Sequence, residues 1–168
     1  NTFSDELKSF IIDGLTIGDD LSFFFDENNI KKLEKNYHKN KTFIPIEKKS
    51  SSPEYEVIQI YYKKSETEKK IYAIAGINNS DITKCNIKKD DYIEKFKFLF
   101  NSSFFEKKTL EKKFPKGKRV KYENRFTLKN GSYAYVACYD WAKGTYPDQM
   151  RVGLTHSEFD TWIYKQIN

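Results

Sequence analysis

Tyr133, Tyr135 and Tyr139 stand at even spacing in a stretch that ends at Trp141, and even spacing along an extended chain turns side chains to one face. Rings gathered this way could stack on a sugar ring, a base or a peptide if the face is open; under helices they would simply be core. Asp140, flanked by Tyr139 and Trp141, is a candidate proton-transfer group if the rings desolvate it, against the plainer role of hydrogen-bonding the following loop. A second group comprises Lys107, Lys108, Lys112, Lys113, Lys116, Lys118, Arg119 and Lys121, crowded around Pro115 and Gly117 with Phe104, Phe105, Phe114 and Tyr122 nearby. Cations among rings hold single-stranded nucleic acid by phosphate neutralisation and stacking. Glu106 and Glu111 interrupt the run, and a solvated loop accounts for it more simply.

Cys85 and Cys138 are the only cysteines; they permit one intramolecular disulfide, and two reduced, partly buried thiols account for them as well. Neither of the two histidines suggests a general base held by an orienting partner, His38 lying in a polar stretch and His156 at an expected exposed helix start. The pairs Asp19-Asp20 and Asp90-Asp91 read as helix-start acids, favoured there by the backbone dipole. Glycine-rich phosphate loops, paired-His zinc motifs, Cys-x-x-Cys pairs, acidic calcium loops and nucleophile elbows are missing from the sequence. No cofactor or metal is therefore expected, and a binding module is favoured over an enzyme.

Composition sets the frame for these residues. A chain of 168 residues is of single-domain size, and one domain over 1–168 is expected. Its 38% apolar content is low, but 17% aromatic side chains can build a core and argue against disorder. Lysine dominates the basic residues, with arginine only at Arg119, Arg125 and Arg151, and Asn, Ile, Phe and Tyr are abundant. Lys, Asn, Ile, Phe and Tyr are encoded by A/T-rich codons, so the net charge of +6 reflects genome bias as well as a mild preference for anionic partners. No stretch is apolar enough for a membrane span. The start at Asn1 fits a removed signal peptide as well as a trimmed chain, and an exported form is slightly favoured. Asn-x-Ser/Thr triplets at Asn40, Asn78, Asn101 and Asn130 would matter only in a eukaryotic secretory pathway.

The elements that must position these residues follow from pattern. Phe10-Ile12 reads as a strand before the Asp13-Gly14 turn, and Thr16 as the cap of a helix over about 17–27. Phe43-Ile46, with Pro45, reads as an edge strand, and 55–62 and 71–77 as a hairpin. Asp91 with Glu94 starts a helix carrying Ile93, Phe96, Leu99 and Phe100, followed by an exposed loop or frayed helix over 106–121. Asn130-Gly131 as a two-residue turn pairs Leu128 with Tyr133 and Phe126 with Tyr135, setting Tyr122, Phe126 and Leu128 on the tyrosine face. Met150-Leu154 is a strand, and Thr155 caps a closing helix with Glu158. Two strand-strand-helix groups, 55–100 and 120–166, hint at duplication. The expected class is α+β, a mainly antiparallel sheet of two hairpins plus edge strands, with about three helices on one face and a closing C-terminal helix. The functional expectation is a small binding or interaction module for a protein or small-molecule ligand, using the aromatic hairpin face. The alternatives are attachment to an anionic polymer, nucleic acid or membrane surface through 107–121, and a small-molecule enzyme.

Overall fold

The computed structural model describes residues 3–167 of the chain. Its α+β fold rests on seven antiparallel strands: β1 (Phe43–Lys49), β2 (Val57–Lys63), β3 (Ile71–Asn79), β4 (Phe104–Phe114), β5 (Gly117–Thr127), β6 (Tyr133–Trp141) and β7 (Gln149–Thr155). They lie in the order β1-β2-β3-β7-β6-β5-β4, so β1 and β4 are the edges. Three α-helices accompany them: α1 (Glu27–Leu33), α2 (Ile82–Leu99) and the closing α3 (Ser157–Ile167).

The strand register sorts side chains into two layers. One face turns Ile58, Ile60, Ile74, Val136, Cys138, Val152 and Leu154 towards α2, whose Cys85, Tyr92, Ile93 and Phe96 form a buried stripe at helical spacing. The same layer takes in Leu7, Phe10, Ile12 and Leu21 from the N-terminal segment and Ile30 from α1. The opposite face carries a smaller cluster, in which Phe159 and Trp162 of α3 pack on Phe43, Tyr61, Tyr72 and Ala73. Helices therefore occupy both faces instead of one. The two strand-strand-helix groups send their helices to opposite sides, so the architecture does not repeat.

Several local expectations change for identifiable reasons. Asp81, whose carboxylate accepts from Lys84 N at 2.9 Å, caps α2 ten residues before Asp91, which lies within the helix. Asp20 and Asp26 likewise displace Thr16 as caps, leaving only a 3-10 turn over Leu21–Phe23 before α1. Thr16 instead donates its hydroxyl to Phe10 O at 2.8 Å. Ile12 forms a lone bridge to Leu15 rather than a strand, across the turn where Asp13 and Gly14 take positive φ. Thr155 ends β7, and His156 takes over as cap through Glu158 N to Nδ1 at 3.1 Å, its ring buried against Phe3 and Tyr72 instead of exposed.

Residues 106–121, expected as loop, are the body of the β4–β5 hairpin, with Phe114 paired to Gly117 across its turn. The β5–β6 connection also differs. Gly131 has φ +86 but Asn130 is not in the left-handed region, so a type I′ turn is not formed. The loop is one residue longer: Leu128 N donates to Ser132 O at 2.9 Å, enclosing Lys129-Asn130-Gly131, and Thr127 pairs with Tyr133. A one-residue slip exchanges faces. Phe126, Leu128 and Tyr122 thus belong to the layer beneath α2, and Arg119, Lys121, Glu123 and Arg125 join the tyrosines.

A disulfide joins Cys85 of α2 to Cys138 of β6, both fully buried and 53 residues apart in the chain. Closing such a loop constrains the unfolded chain. The variant Cys85→Ala/Cys138→Ala is expected to lose about 3 kcal/mol, lowering Tm by roughly 6–12 °C for a chain of this size, measurable by calorimetry against the oxidised protein.

Candidate functional site: a cationic and aromatic sheet face

The sheet face opposite α2 is the surface on which the sequence-derived candidates meet. Tyr133, Tyr135, Tyr139 and Trp141 share it, paired across to Thr127, Arg125, Lys121 and Arg119 of β5. Lys108 and Lys112 of β4 extend the same face, while Lys107, Lys113 and Lys118 project from the reverse and Lys116 sits in the hairpin turn. Asp140, pairing with Val120, also points to the reverse, away from the rings. Proton transfer by Asp140 beside the tyrosines therefore has no geometric basis. Among the described residues α3 is the only helix on this face, and it covers the end formed by Phe43, Tyr61, Tyr72 and Ala73.

The rings do not present bare stacking surfaces. Tyr133 and Tyr139 are only 7% and 9% exposed, yet what covers them over much of this face is the protein's own cations. The Arg125 guanidinium lies 3.8 Å from the Tyr133 ring centroid, Lys121 reaches 6.0 and 5.7 Å from Tyr135 and Tyr139, and Arg119 stands 5.1 and 5.4 Å from Tyr139 and Trp141. Cations of β5 face rings of β6 across the ladder because pairing sets them side by side and the ring quadrupole attracts the positive group. Tyr135 itself lies across β7 at Gly153, where an added Cβ would fall 2.7 Å from the ring and 2.8 Å from Ile74 O. Glycine at this position is what lets the ring lie flat against the sheet.

Polar partners tie the face together. Glu123, 2% exposed, holds Lys121 Nζ at 3.3 Å and Arg125 Nη2 at 3.1 Å. Burial by itself would lower the affinity of Lys121 and Arg125 for their protons, but the neighbouring tyrosines and Glu123 outweigh it and keep both firmly charged. Further along, Arg151 donates to Gln59 Oε1, Gln59 Nε2 donates to Glu47 at 2.9 Å, and Tyr37 OH donates to the same carboxylate at 2.7 Å. Tyr133 OH donates to Asp160 of α3 at 2.8 Å. His38 Nε2 lies 3.0 Å from Tyr61 OH with its ring against Trp162, and burial followed by nearby Lys41 depresses its pKa.

Arg119, Arg125 and Arg151, the only arginines of the chain, all stand on this one face. Each also keeps a buried Nε–H without an acceptor among the described residues. Sequence reasoning singled out Arg119 but passed over Glu123, Arg125, Arg151 and Gln59. The signal available was compositional: arginine against a lysine background marks positions where a planar, stackable fork is required. Among the described residues no group of His, Cys, Asp and Glu could hold a metal ion, and no helix is long and apolar enough to cross a membrane. The chain matches no protein-family model, no curated protein and no solved structure.

Glu123→Gln is expected to cost about 2–3 kcal/mol in urea unfolding, because two largely covered cations lose their counter-charge. The half-buried Glu106→Gln control, which loosens the Lys108 pair, is expected to change stability by less than about 1 kcal/mol. Burial, followed by Glu47, raises the Tyr37 phenol to about 12, and burial raises Tyr61 to about 12 despite the opposing Arg151. Tyr55, Tyr62, Tyr72, Tyr92 and Tyr133 are raised further, burial again being the largest cause. The folded state thus holds these protons more tightly than the unfolded chain. Their stabilisation is complete below the unfolded phenol value near 10 and is lost as pH rises through the folded values, about 12 for Tyr37 and Tyr61 and higher for the others. Phenolate absorbance should accordingly rise in step with loss of circular dichroism above about pH 10, lagging free tyrosine.

Proposed function

We propose that the protein is a binding module that takes an anionic ligand on the sheet face opposite α2. The observation that carries this reading is the gathering of all three arginines there, in a chain whose other cations are lysine and spread over the surface. A codon bias towards A and T supplies lysine without regard to position. Arginine placed repeatedly on one face answers to a geometric need, the planar recognition of oxyanions. The tyrosines and Trp141 serve this surface as its backing: their faces hold the cations above the sheet, and their edges offer apolar contact to a ligand. This joins the aromatic hairpin and the lysine-rich segment into one surface, since Lys108, Lys112, Arg119 and Lys121 stand beside the rings.

A charge-matched comparison tests the reading. Lys108→Gln/Lys112→Gln/Arg119→Gln removes three charges from this face, and Lys84→Gln/Lys88→Gln/Lys97→Gln removes three from the exposed side of α2. On a heparin column the first triple is expected to elute at clearly lower salt than the native protein, with the second close to native. Equal shifts would assign retention to net charge alone and refute the proposal.

A further inference from the structure

The open face is not uniform, and one end of it differs from the rest. Along the middle of β5 the cations have counter-charges: Lys121 and Arg125 share Glu123, and on β4 Lys108 has Glu106. Lys112 and Arg119 have none among the described residues, although they stand directly opposite each other in the β4–β5 register. Like charges directly opposed across two strands repel, and both cations also lie against one ring: Lys112 Nζ and the Arg119 guanidinium are 5.3 and 5.4 Å from the Phe114 centroid. Tyr139 and Trp141 complete the surround of Arg119, at 5.1 and 5.4 Å. Trp141 in turn contacts Phe114 at 5.0 Å and the exposed Tyr146 at 4.8 Å. A guanidinium held on several sides by rings cannot turn away to find water as a lone surface arginine does. Its buried Nε–H has no acceptor among the described residues, and the guanidinium carries its remaining N–H donors in a fixed planar fork.

Resting on the reading of this face as the ligand surface, we infer that Lys112 and Arg119 over Phe114, walled by Trp141 and Tyr146, form a subsite for an acidic sugar. Its sulfate or carboxylate would bridge the two cations, and the C–H face of its pyranose would lie on the outer rings. Three features favour this class. Two cations paired across the strands without a counter-charge among the described residues call for an oxyanion with more than one acceptor oxygen. The apolar wall calls for a ligand that carries a non-polar surface beside its charge, which inorganic anions and polyphosphate lack. Nucleobases require open, parallel ring faces; Trp141 is already flanked by Arg119, Phe114 and Tyr146, which suits edge and C–H contacts better than intercalation.

Isothermal titration calorimetry with four probes tests the assignment: a heparin-derived tetrasaccharide, a hyaluronan tetrasaccharide, a polyphosphate of matched charge and a short oligothymidylate. The sugars are expected to bind at least tenfold more tightly than the other two. The stronger of the two sugars tells sulfate from carboxylate as the preferred group. Arg119→Lys conserves charge and removes only the planar fork, and should weaken sugar binding about tenfold. Lys112→Gln, on the exposed ribbon where folding is not at stake, should weaken it about threefold. Sugar binding within twofold of native for both variants would overturn the subsite, as would polyphosphate or oligothymidylate binding as tightly as the sugars. If the subsite fails while the charge-matched triples still differ on heparin, the face remains the ligand surface and only the subsite is wrong; if the triples elute alike, the broader reading falls first.

Discussion

The pairing register of β5 with β6 is the constraint on which the rest of the molecule depends. In a pleated strand every residue belongs to one of two layers, and a shift of one position exchanges the layers wholesale. The loop Lys129-Asn130-Gly131 sets the register in which Thr127 faces Tyr133. The Cys85–Cys138 bond fixes which layer of β6 looks at α2. A one-residue slip would turn Glu123 and Arg125 into the apolar layer that holds the Phe96–Phe126 contact, where burying a charge is costly. Core and charged face are thus two sides of a single geometric choice.

The parts of this arrangement legible in sequence are those governed by local chemistry. Alternation of apolar residues marked β2, β3 and β7, and the last helix declared itself through Phe159 and Trp162. Residues whose role depends on tertiary partners were harder to read. Asp91 with Glu94 has the form of a helix start, but Asp81 lies earlier, two residues after β3 ends at Asn79, and caps the helix there. Segment 106–121 has too many lysines to resemble a strand. It pairs nonetheless because a long hairpin satisfies its backbone, with the lysines disposed to either side. The turn failed for a subtler reason: Asn-Gly is shared by the two-residue loop and by the longer loop in which only Gly131 needs positive φ. At the site, Arg119 and the tyrosines were visible as types and spacings. Their shared face with Arg125, Arg151 and Glu123 was not, since it depends on that turn.

The face that results is built unlike a hydrophobic patch. Its aromatic rings back the guanidinium and ammonium groups laid against them, which the strand pairing holds in place. Preset donors lose little freedom on binding and pair well with planar acceptors. Of the acidic residues on the face, Glu47 is engaged by Tyr37 and Gln59, Glu123 by Lys121 and Arg125, and Glu106 by Lys108.

The two edges of the sheet carry a consequence of their own. β1 includes Pro45, which has no N–H to offer, and Lys35 N already donates to its carbonyl at 2.9 Å. β4 runs for eleven residues and holds Lys107, Lys108, Lys112 and Lys113. Open strand edges invite neighbouring molecules to continue the ladder, and lysines along such an edge discourage it by mutual repulsion. The hairpin whose cations we propose as a ligand surface on one side therefore also discourages copies of the protein from joining sheet to sheet, so the same lysines would act in both.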